Sequence, residues 1–247
     1  MTFMSLDPGS TALFLDVDGT LLEIVDDPGS VVADALLINS LRDAETRLSG
    51  ALALISGRRI LEIDRIFSPA VFTAAGAHGT EFRMPGASVE RSTASGPPAA
   101  LVATLTAFAE DHPGLLIEVK DSAVALHYRR APELEDEARR RVAESLQGTD
   151  DDLRLIDGKM VLEIVPRHHD KGAAIRRLME HPAFADRHPV FVGDDVTDED
   201  GFAAVNELGG TSVHVGNNQD TRALHSLADV DAVRRWLLDP FAEQRSA

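Results

Sequence analysis

The chain has 247 residues, of which 44% are hydrophobic and 26% charged, and its formal net charge at pH 7 is −17. Because nucleic acids and anionic membranes repel an acidic surface, this charge argues against either as the main partner. The absence of cysteine excludes disulfides, thiolate metal sites and cysteine nucleophiles. No apolar run is long enough to span a membrane and no secretory signal is visible, so we expect a soluble cytoplasmic protein.

The first part of the chain alternates between strand-like apolar runs and stretches of helical periodicity. The pattern predicts strand, helix, strand, helix and strand in TALFLDV, SVVADALLINSLRDAETRL, GALALISG, RRILEIDRIF and AVFTAAGAHG. A β-α-β-α-β order of this kind predicts a parallel sheet with helices on its faces.

The middle of the chain has a different pattern. A stretch rich in Ser, Gly, Ala and Pro, ASVERSTASGPPAA, predicts a turn and linker. The segments that follow predict a helix, two strands, a charged helix opened by Pro132 and closed by Gly148, and a second strand pair, in ALVATLTAFAEDH, GLLIEVKD, SAVALHYRR, APELEDEARRRVAESLQG, DLRLIDG and KMVLEIVP. This order predicts an inserted α+β unit with an antiparallel sheet.

The α/β pattern then returns, in KGAAIRRLMEH, HPVFVGDD, DEDGFAAVNEL, TSVHVGN and LADVDAVRRWLLD. We therefore predict an α/β fold with two domains. Residues 1–95 and 166–247 form a Rossmann-like core with a doubly wound parallel sheet, and residues 96–165 form an inserted α+β domain.

Polar residues follow three of the predicted strands. Parallel α/β sheets place ligands at the carboxyl ends of their strands, where these residues meet. The residues concerned are Asp16 and Asp18, Ser56 and Gly57, and Asp194, with Lys171 at the start of the returning helix. The carboxylates suit a hard divalent cation such as Mg²⁺, and the serine hydroxyl, glycine amide and lysine suit phosphoryl oxygens.

The pair of aspartates indicates phosphoryl transfer. An aspartate can attack phosphorus to form an aspartyl-phosphate that water later hydrolyses. A neighbouring aspartate can protonate the leaving oxygen and afterwards activate that water. Asp16 and Asp18 therefore suit the nucleophile and the proton-transfer group, and Gly19 permits backbone geometry that a side chain would obstruct.

Other interpretations of these residues are possible. A calcium-binding loop with Gly19 at its sixth position would put Phe14 first and Val25 last, neither of which is a ligand. The acids at residues 198–200 favour the dipole at a helix N-terminus, an interpretation that we adopt for Glu199. Arg58, at the start of a predicted helix, is disfavoured by the dipole there, and an anionic partner nearby would relieve this.

These motifs resemble those of haloacid-dehalogenase-like phosphatases, in LDVDGTL, ISGR, DKG and GDDVTDED. The resemblance implies that Asp16 is the nucleophile and Asp18 the general acid/base. It implies that Mg²⁺ is held by Asp16, the backbone carbonyl of Asp18 and Asp194, with Asp195 and Asp198 as supporting acids. It also implies that the inserted α+β domain is a cap.

Within this superfamily the sequence is most similar to trehalose-6-phosphate phosphatases, in GDDVTDEDGF, IEVKDSAVALHYR, GKMVLEIVP and the GAHGTE loop with His78. The similarity implies that the cap binds the sugar or phosphate through Glu118, Lys120, His127, Arg129, Lys159 and Glu163. For Glu118, Lys120 and Arg129 the alternative is an ordinary solvent-facing side of an antiparallel sheet. The pair His168 and His169 fits a linker better than a metal site, because adjacent strand residues point to opposite faces.

The sequence thus predicts an enzyme, a Mg²⁺-dependent phosphoric monoester hydrolase that converts trehalose 6-phosphate to trehalose and phosphate. Its partner would be a small-molecule sugar phosphate. The alternatives are a phosphatase for sucrose 6-phosphate or mannosyl-3-phosphoglycerate, a phosphomutase, and a catalytically silent sugar-phosphate-binding regulator. The proton-transfer residue Asp18 argues against the silent regulator, because binding alone does not need it.

Overall fold

The computed structural model describes residues 3–25, 27–92, 96–120, 123–147, 153–158, 160–167, 169–217 and 220–242. The chain divides into two compact units. The first unit consists of Met1–Arg91 and Asp170–Ala247, and the second of Ser92–His169. The chain passes from one unit to the other within a few residues of the predicted boundaries at 95/96 and 165/166. That the units are separate domains stays a prediction.

The described residues form twelve strands: β1 (Thr11–Leu15), β2 (Leu52–Ile55), β3 (Thr73–Gly76), β4 (Glu81–Arg83), β5 (Glu90–Arg91), β6 (Leu116–Val119), β7 (Val124–His127), β8 (Leu153–Gly158), β9 (Val161–Pro166), β10 (His188–Gly193), β11 (Thr211–Val215) and β12 (His225–Leu227). They also form seven α-helices: α1 (Ala35–Arg47), α2 (Ile60–Ile66), α3 (Ala99–Asp111), α4 (Glu135–Leu146), α5 (Lys171–Met179), α6 (Glu199–Glu207) and α7 (Val230–Leu237). None of the described helices is long and apolar enough to cross a membrane.

An eight-stranded sheet forms the centre of the first unit, in the order β12-β11-β10-β1-β2-β3-β4-β5. The strands from β12 to β3 run parallel to one another. β4 pairs antiparallel with β3, and β5 pairs antiparallel with β4. All residues of β1 and β2 are buried, because helices cover a parallel sheet and favour continuous apolar runs. The chain winds from β1 towards β2 and β3, and later returns to β10 on the other side. The strand order therefore reverses between β1 and β10, where such folds bind ligands.

Three short strands depart from the sequence-based prediction. β4 and β12 have three residues each and lie in stretches predicted as a loop or left unassigned. β5 lies inside the predicted linker ASVERSTASGPPAA, so that part of the linker prediction is wrong. Its two residues, Glu90 and Arg91, are exposed and polar. They form a strand because they pair with β4, and no local apolar pattern indicates it.

The second unit is an α+β unit built on a four-stranded antiparallel sheet in the order β6-β7-β9-β8. One face of the sheet packs against α3 and α4 through a core that includes Leu105, Val142, Val124 and Leu162. The α-helix α4 begins at Glu135 rather than at Pro132, because residues 132–134 form a 3-10 turn before it. The predicted end of this helix at Gly148 lies outside the described residues.

Candidate active site

Asp16 and Asp18 lie in the turn that follows β1, at the carboxyl end of the central strand. The turn is closed by the Leu21 amide donating to Val17 at 2.9 Å and by the Gly19 amide donating to the Leu22 carbonyl at 2.7 Å. Asp16 is buried, whereas Asp18 is partly exposed. The turn thus directs one carboxylate inward and leaves the other accessible.

Gly19 allows the Asp194 carboxylate to approach this turn. Its φ is +81°, in the left-handed region that glycine tolerates best. A β-carbon there would lie 2.1 Å from Oδ2 of Asp194. The hydroxyl of Thr20 donates to Oδ1 of the same carboxylate at 3.2 Å. Both neighbours therefore fix Asp194, and Thr20 is a site residue that the sequence analysis missed.

Lys171 is a buried cation between two buried acids. It is the first residue of α5, whose N-terminus is capped by Asp170 accepting from the Ala173 amide at 2.7 Å. Its Nζ lies 2.6 Å from Oδ1 of Asp16 and 2.5 Å from Oδ1 of Asp198. Burial by itself would lower the pKa of Lys171, but Asp16 and Asp198 outweigh it and raise that pKa. The lysine is therefore held in its charged form.

Asp198 organises the loop after β10. While its Oδ1 accepts from Lys171, its Oδ2 accepts from the backbone amides of Asp194 and Asp195, each at 3.0 Å. A β-carbon at Gly193 would lie 2.4 Å from Cγ of Asp198, so this approach also needs a glycine. Asp195 itself is exposed, and its carboxylate accepts from the Val196 amide at 2.7 Å. Both acids therefore shape the loop that carries Asp194.

Among the described residues, one group of carboxylates is suited to hold a metal ion. One oxygen each from Asp16, Asp194 and Asp198 lie within 4.8 Å of one another. Burial raises the pKa of Asp16 well above its usual range, opposed by Lys171 and reinforced by the other two acids. Burial and then Asp198 raise the pKa of Asp194 to about 7. Lys171 alone thus leaves negative charge uncompensated here, and a divalent cation would balance it.

Ser56 and Gly57 follow β2, the strand next to β1. Ser56 is buried, and its Oγ accepts from the Arg58 amide at 3.1 Å, so its own proton stays available to a ligand. A β-carbon at Gly57 would lie 2.8 Å from Cε1 of His78. His78 has a φ of +54° in the turn between β3 and β4. Its left-handed backbone places the imidazole against the glycine, so the loop predicted to involve His78 reaches the site.

Arg58 forms an ion pair with Asp18. Its Nε and Nη2 each lie 2.6 Å from one of the two carboxylate oxygens. The hydrogen bond to Asp18 raises the pKa of Arg58. The sequence pattern indicated an anionic partner for Arg58, and the structure shows which acid it is.

The second unit brings four of the predicted sugar-binding residues together. Lys120 Nζ lies 2.7 Å from Oε1 of Glu163, and His127 Nε2 lies 3.1 Å from Oε2 of Glu118. Directly opposed residues of antiparallel strands share a face, and the register pairs Ala125 with both glutamates. Val124 and Leu126, which alternate with Ala125, pack in the core with the helices. The glutamates therefore occupy the face of the sheet opposite the helices, where Glu163 is buried.

The remaining predicted residues divide into described and undescribed ones. Arg129 is exposed beyond the end of β7, and Asn217 is exposed after β11. Lys159 and His168 lie outside the described residues. Nε2 of His169 lies 2.9 Å from Oγ of Ser92, so the structure gives this histidine a polar partner in the same unit.

Comparison with known proteins identifies the family. The family model described as trehalose-phosphatase matches residues 14–231. The chain is 42% identical over 236 residues to the trehalose-6-phosphate phosphatase of Escherichia coli, covering 92% of this chain and 85% of that one. It is 40% identical over 235 residues to a probable trehalose-phosphate phosphatase of Sinorhizobium fredii, covering 95% of this chain and 89% of that one. This chain belongs to the trehalose-phosphatase family.

The fold of this trehalose-phosphatase family member also matches a solved structure. The C-terminal domain of the Candida albicans trehalose-6-phosphate phosphatase superposes with a TM-score of 0.80 at 24% identity, over 97% of this chain and 98% of that one. The predicted trehalose-phosphatase family, the enzyme class and the α/β fold class are therefore confirmed. The roles of individual residues stay predictions.

Proposed function

We propose that this chain is a Mg²⁺-dependent phosphatase that hydrolyses trehalose 6-phosphate to trehalose and phosphate through an aspartyl-phosphate. The observation that carries the proposal is the buried arrangement at the point where the strand order reverses. There Lys171 bridges Asp16 and Asp198 at 2.6 and 2.5 Å. The names of the two bacterial relatives support the substrate.

Asp16 is the nucleophile in this proposal. Lys171 donates to its Oδ1, so we assign the attack on phosphorus to Oδ2. As the bond from Oδ2 to phosphorus forms, the bond from phosphorus to the sugar oxygen breaks, and Asp18 gives its proton to that oxygen. Water then attacks phosphorus and passes a proton to Asp18 while the bond between phosphorus and Oδ2 of Asp16 breaks. This step releases phosphate, restores the Asp16 carboxylate and returns Asp18 to its protonated form.

The phosphoryl group would be bound by three donors. The Ser56 hydroxyl has its proton available, because its oxygen already accepts from a backbone amide. The Gly57 amide is a second donor. Lys171 has three N–H bonds and uses two on carboxylates, so the third can reach a phosphoryl oxygen. Together they bind and orient the transferring group.

The residues that would hold Mg²⁺ are Asp16, Asp194 and the backbone carbonyl of Asp18. The buried Asp16 and the half-buried Asp194, both with raised pKa values, fit a hard cation that takes oxygen ligands. Both oxygens of Asp198 are engaged by protein donors, which fits a supporting role, as does the turn held by Asp195. When bound, Mg²⁺ would offset negative charge on the phosphoryl oxygens.

The sugar would be bound by the second unit. A sugar presents many hydroxyl groups and needs many hydrogen-bonding partners, which the polar side chains on the sheet face opposite the helices supply. We propose this role for Glu118, Lys120, His127 and Glu163 on that face, together with the predicted residues Arg129 and Lys159. The ion pair of Lys120 with Glu163, at 2.7 Å, and the hydrogen bond between His127 and Glu118, at 3.1 Å, hold these side chains in place before sugar binds.

The test is phosphate release from a panel of substrates, with Mg²⁺ and again with excess EDTA. The panel contains trehalose 6-phosphate, sucrose 6-phosphate, mannosyl-3-phosphoglycerate, glucose 6-phosphate and p-nitrophenyl phosphate. We expect EDTA-sensitive preference for trehalose 6-phosphate, lost in Asp16→Asn. Asp43→Asn, at an exposed position of α1, is the matched control and should retain activity.

Other results of the panel would contradict the proposal in distinct ways. Preference for another sugar phosphate would keep the chemistry and overturn the substrate. Activity that survives EDTA would overturn the metal requirement. No activity with any substrate would favour a silent sugar-phosphate-binding regulator.

A further inference from the structure

A two-point ion pair joins Arg58 to Asp18. Each of two guanidinium nitrogens lies 2.6 Å from a different carboxylate oxygen. The Arg58 side chain is 12% exposed and that of Asp18 is 33% exposed, so the pair is only partly hydrated. A planar guanidinium that makes two parallel hydrogen bonds fixes the plane of a carboxylate as well as its distance.

The backbone of Arg58 is itself held on both sides. Its amide donates to Oγ of Ser56 at 3.1 Å, and its carbonyl accepts from the Ala77 amide at 2.7 Å. A β-carbon at Gly76 would lie 2.7 Å from that carbonyl, so the chain after β3 packs directly on it. Arg58 therefore presents its guanidinium from a fixed backbone.

We propose that Arg58 is a positioning residue that orients the Asp18 carboxylate for proton transfer to the leaving sugar oxygen. This inference rests on the proposed function, in which Asp18 supplies that proton. An aspartate without a fixed partner samples several rotamers, and only some direct an oxygen at the reacting group. The guanidinium selects one of them.

The ion pair leaves Asp18 able to transfer a proton. Each carboxylate oxygen has two lone-pair positions, and the guanidinium uses one on each oxygen. A position on either oxygen stays available for the proton that moves to the sugar oxygen and, later, for the proton taken from water. Arg58 therefore acts through Asp18 and does not touch the reacting atoms.

Two other roles would give different kinetics. A purely structural ion pair would contribute stability, and its loss would slow all substrates equally. An arginine that bound the phosphoryl group directly would matter whether or not Asp18 could transfer a proton. A positioning role predicts instead that the loss depends on the leaving group and disappears when Asp18 is disabled.

The experiment measures kcat/KM for the wild type, Arg58→Ala, Arg58→Lys, Asp18→Asn and the double variant Arg58→Ala with Asp18→Asn. Each is assayed at saturating Mg²⁺ with trehalose 6-phosphate and with p-nitrophenyl phosphate, whose leaving group departs without a proton. For Arg58→Ala we expect a loss of about 100-fold on the sugar phosphate and about 10-fold or less on the aryl phosphate. Arg58→Lys keeps the charge but not the planar geometry, and should lose about 10-fold on the sugar phosphate.

The double variant tests the dependence on Asp18. Adding Arg58→Ala to Asp18→Asn should change kcat/KM for trehalose 6-phosphate by less than about threefold. The neighbouring Arg59→Ala is the matched control, because Arg59 is half-exposed and its ion-pair partner is Glu81 rather than Asp18. It should stay within about twofold of the wild type. Thermal unfolding of every variant shows which of them fold.

Several results would overturn the inference. Equal losses on both substrates with a lowered melting temperature would make the pair structural. Additive losses in the double variant would make Arg58 a direct ligand of the substrate. Arg58→Lys provides the same comparison should Arg58→Ala fail to fold.

If the wild type prefers another sugar phosphate, the substrate proposal fails and the same variants are compared on that substrate. If it releases phosphate from none, both proposals fail together.

Discussion

Lys171 is the buried cation on which two buried acids depend. Its side chain and that of Asp16 are each 5% exposed, and that of Asp198 is 0% exposed. A buried carboxylate without a partner is costly, because the protein interior solvates charge poorly. The same lysine that would bind the phosphoryl group therefore also stabilises the fold of the site.

We predict that Lys171→Met lowers the free energy of unfolding by about 3 kcal/mol at pH 7.5, because it leaves two acids without their cation. Urea unfolding of the metal-free protein measures this. Lys171→Arg keeps a positive charge and should lose less. An equal or higher stability in Lys171→Met would contradict the structural half of this role.

Gly19 gives a sharper test of the proposed metal-binding arrangement. Gly19→Ala adds a carbon 2.1 Å from the Asp194 carboxylate, so we expect that side chain to move and Mg²⁺-dependent activity to fall by about 100-fold or more. Gly50→Ala is the control, since Gly50 has a similar φ of +86° but no atom within 4 Å of its β-carbon. This control therefore measures the effect of a side chain at a positive φ without a steric clash. Equal activity in the two variants would show that the contact with Asp194 is unimportant.

At the scale of an element, α1 depends on one acid before its first turn. Oδ1 of Asp34 accepts from the Leu37 amide at 2.9 Å, and Oδ2 accepts from Arg234 of α7. The Leu37 amide and then Arg234 lower the pKa of Asp34 below its usual range. One side chain thus caps α1 and joins it to the last helix.

We predict that Asp34→Ala destabilises the protein by about 1 kcal/mol, and that Asp34→Asn, which can still cap, destabilises it less. Because the folded-state pKa is depressed, this stabilisation is present above the unfolded pKa near 3.8 and is lost as pH falls below it. The difference between wild type and Asp34→Ala should therefore narrow under acid. Thermal unfolding of both proteins at pH 7 and pH 3 measures this difference in stability. A difference that stays the same at the two pH values would argue that the ionised carboxylate of Asp34 is not its source.

At the scale of the whole molecule, the proposals divide the work between two units. In these proposals the first unit would carry out the phosphoryl transfer, and the second would bind the sugar through polar side chains of its sheet. Glu163→Gln weakens the pair with Lys120 while leaving the first unit unchanged. We expect kcat/KM for trehalose 6-phosphate to fall about 10-fold and that for p-nitrophenyl phosphate to stay within about twofold. Equal losses on the two substrates would remove Glu163 from sugar recognition.

Much of this arrangement could be predicted from sequence. Buried apolar runs identify the parallel strands, and polar residues at their carboxyl ends must meet at one edge of the sheet. That reasoning placed Asp16, Ser56 and Asp194 correctly relative to the strands, and Lys171 begins a helix as predicted, although the roles of all four stay predictions. The two-residue strand β5 could not be predicted, because it forms by pairing with β4 and has no local sequence pattern of its own.

The contacts between side chains were also beyond the sequence. The Arg58–Asp18 ion pair joins residues 40 positions apart, and the bond from Thr20 to Asp194 joins residues 174 apart. A helix-dipole argument indicated an anionic partner for Arg58, but several acids follow the neighbouring strands. Backbone packing around Arg58 decides between them, and no local pattern encodes that packing.

The most direct test of the central claim is to trap the phosphorylated enzyme. Asp18→Asn, which should slow hydrolysis of the intermediate, is mixed with trehalose 6-phosphate and Mg²⁺ and quenched in acid. Borohydride then reduces an aspartyl-phosphate to homoserine, which peptide mass spectrometry locates in the chain. We predict homoserine at position 16 that depends on the substrate and is absent from Asp16→Asn. Homoserine at another aspartate, or none at any time while phosphate is being released, would contradict the assignment of Asp16 as the nucleophile.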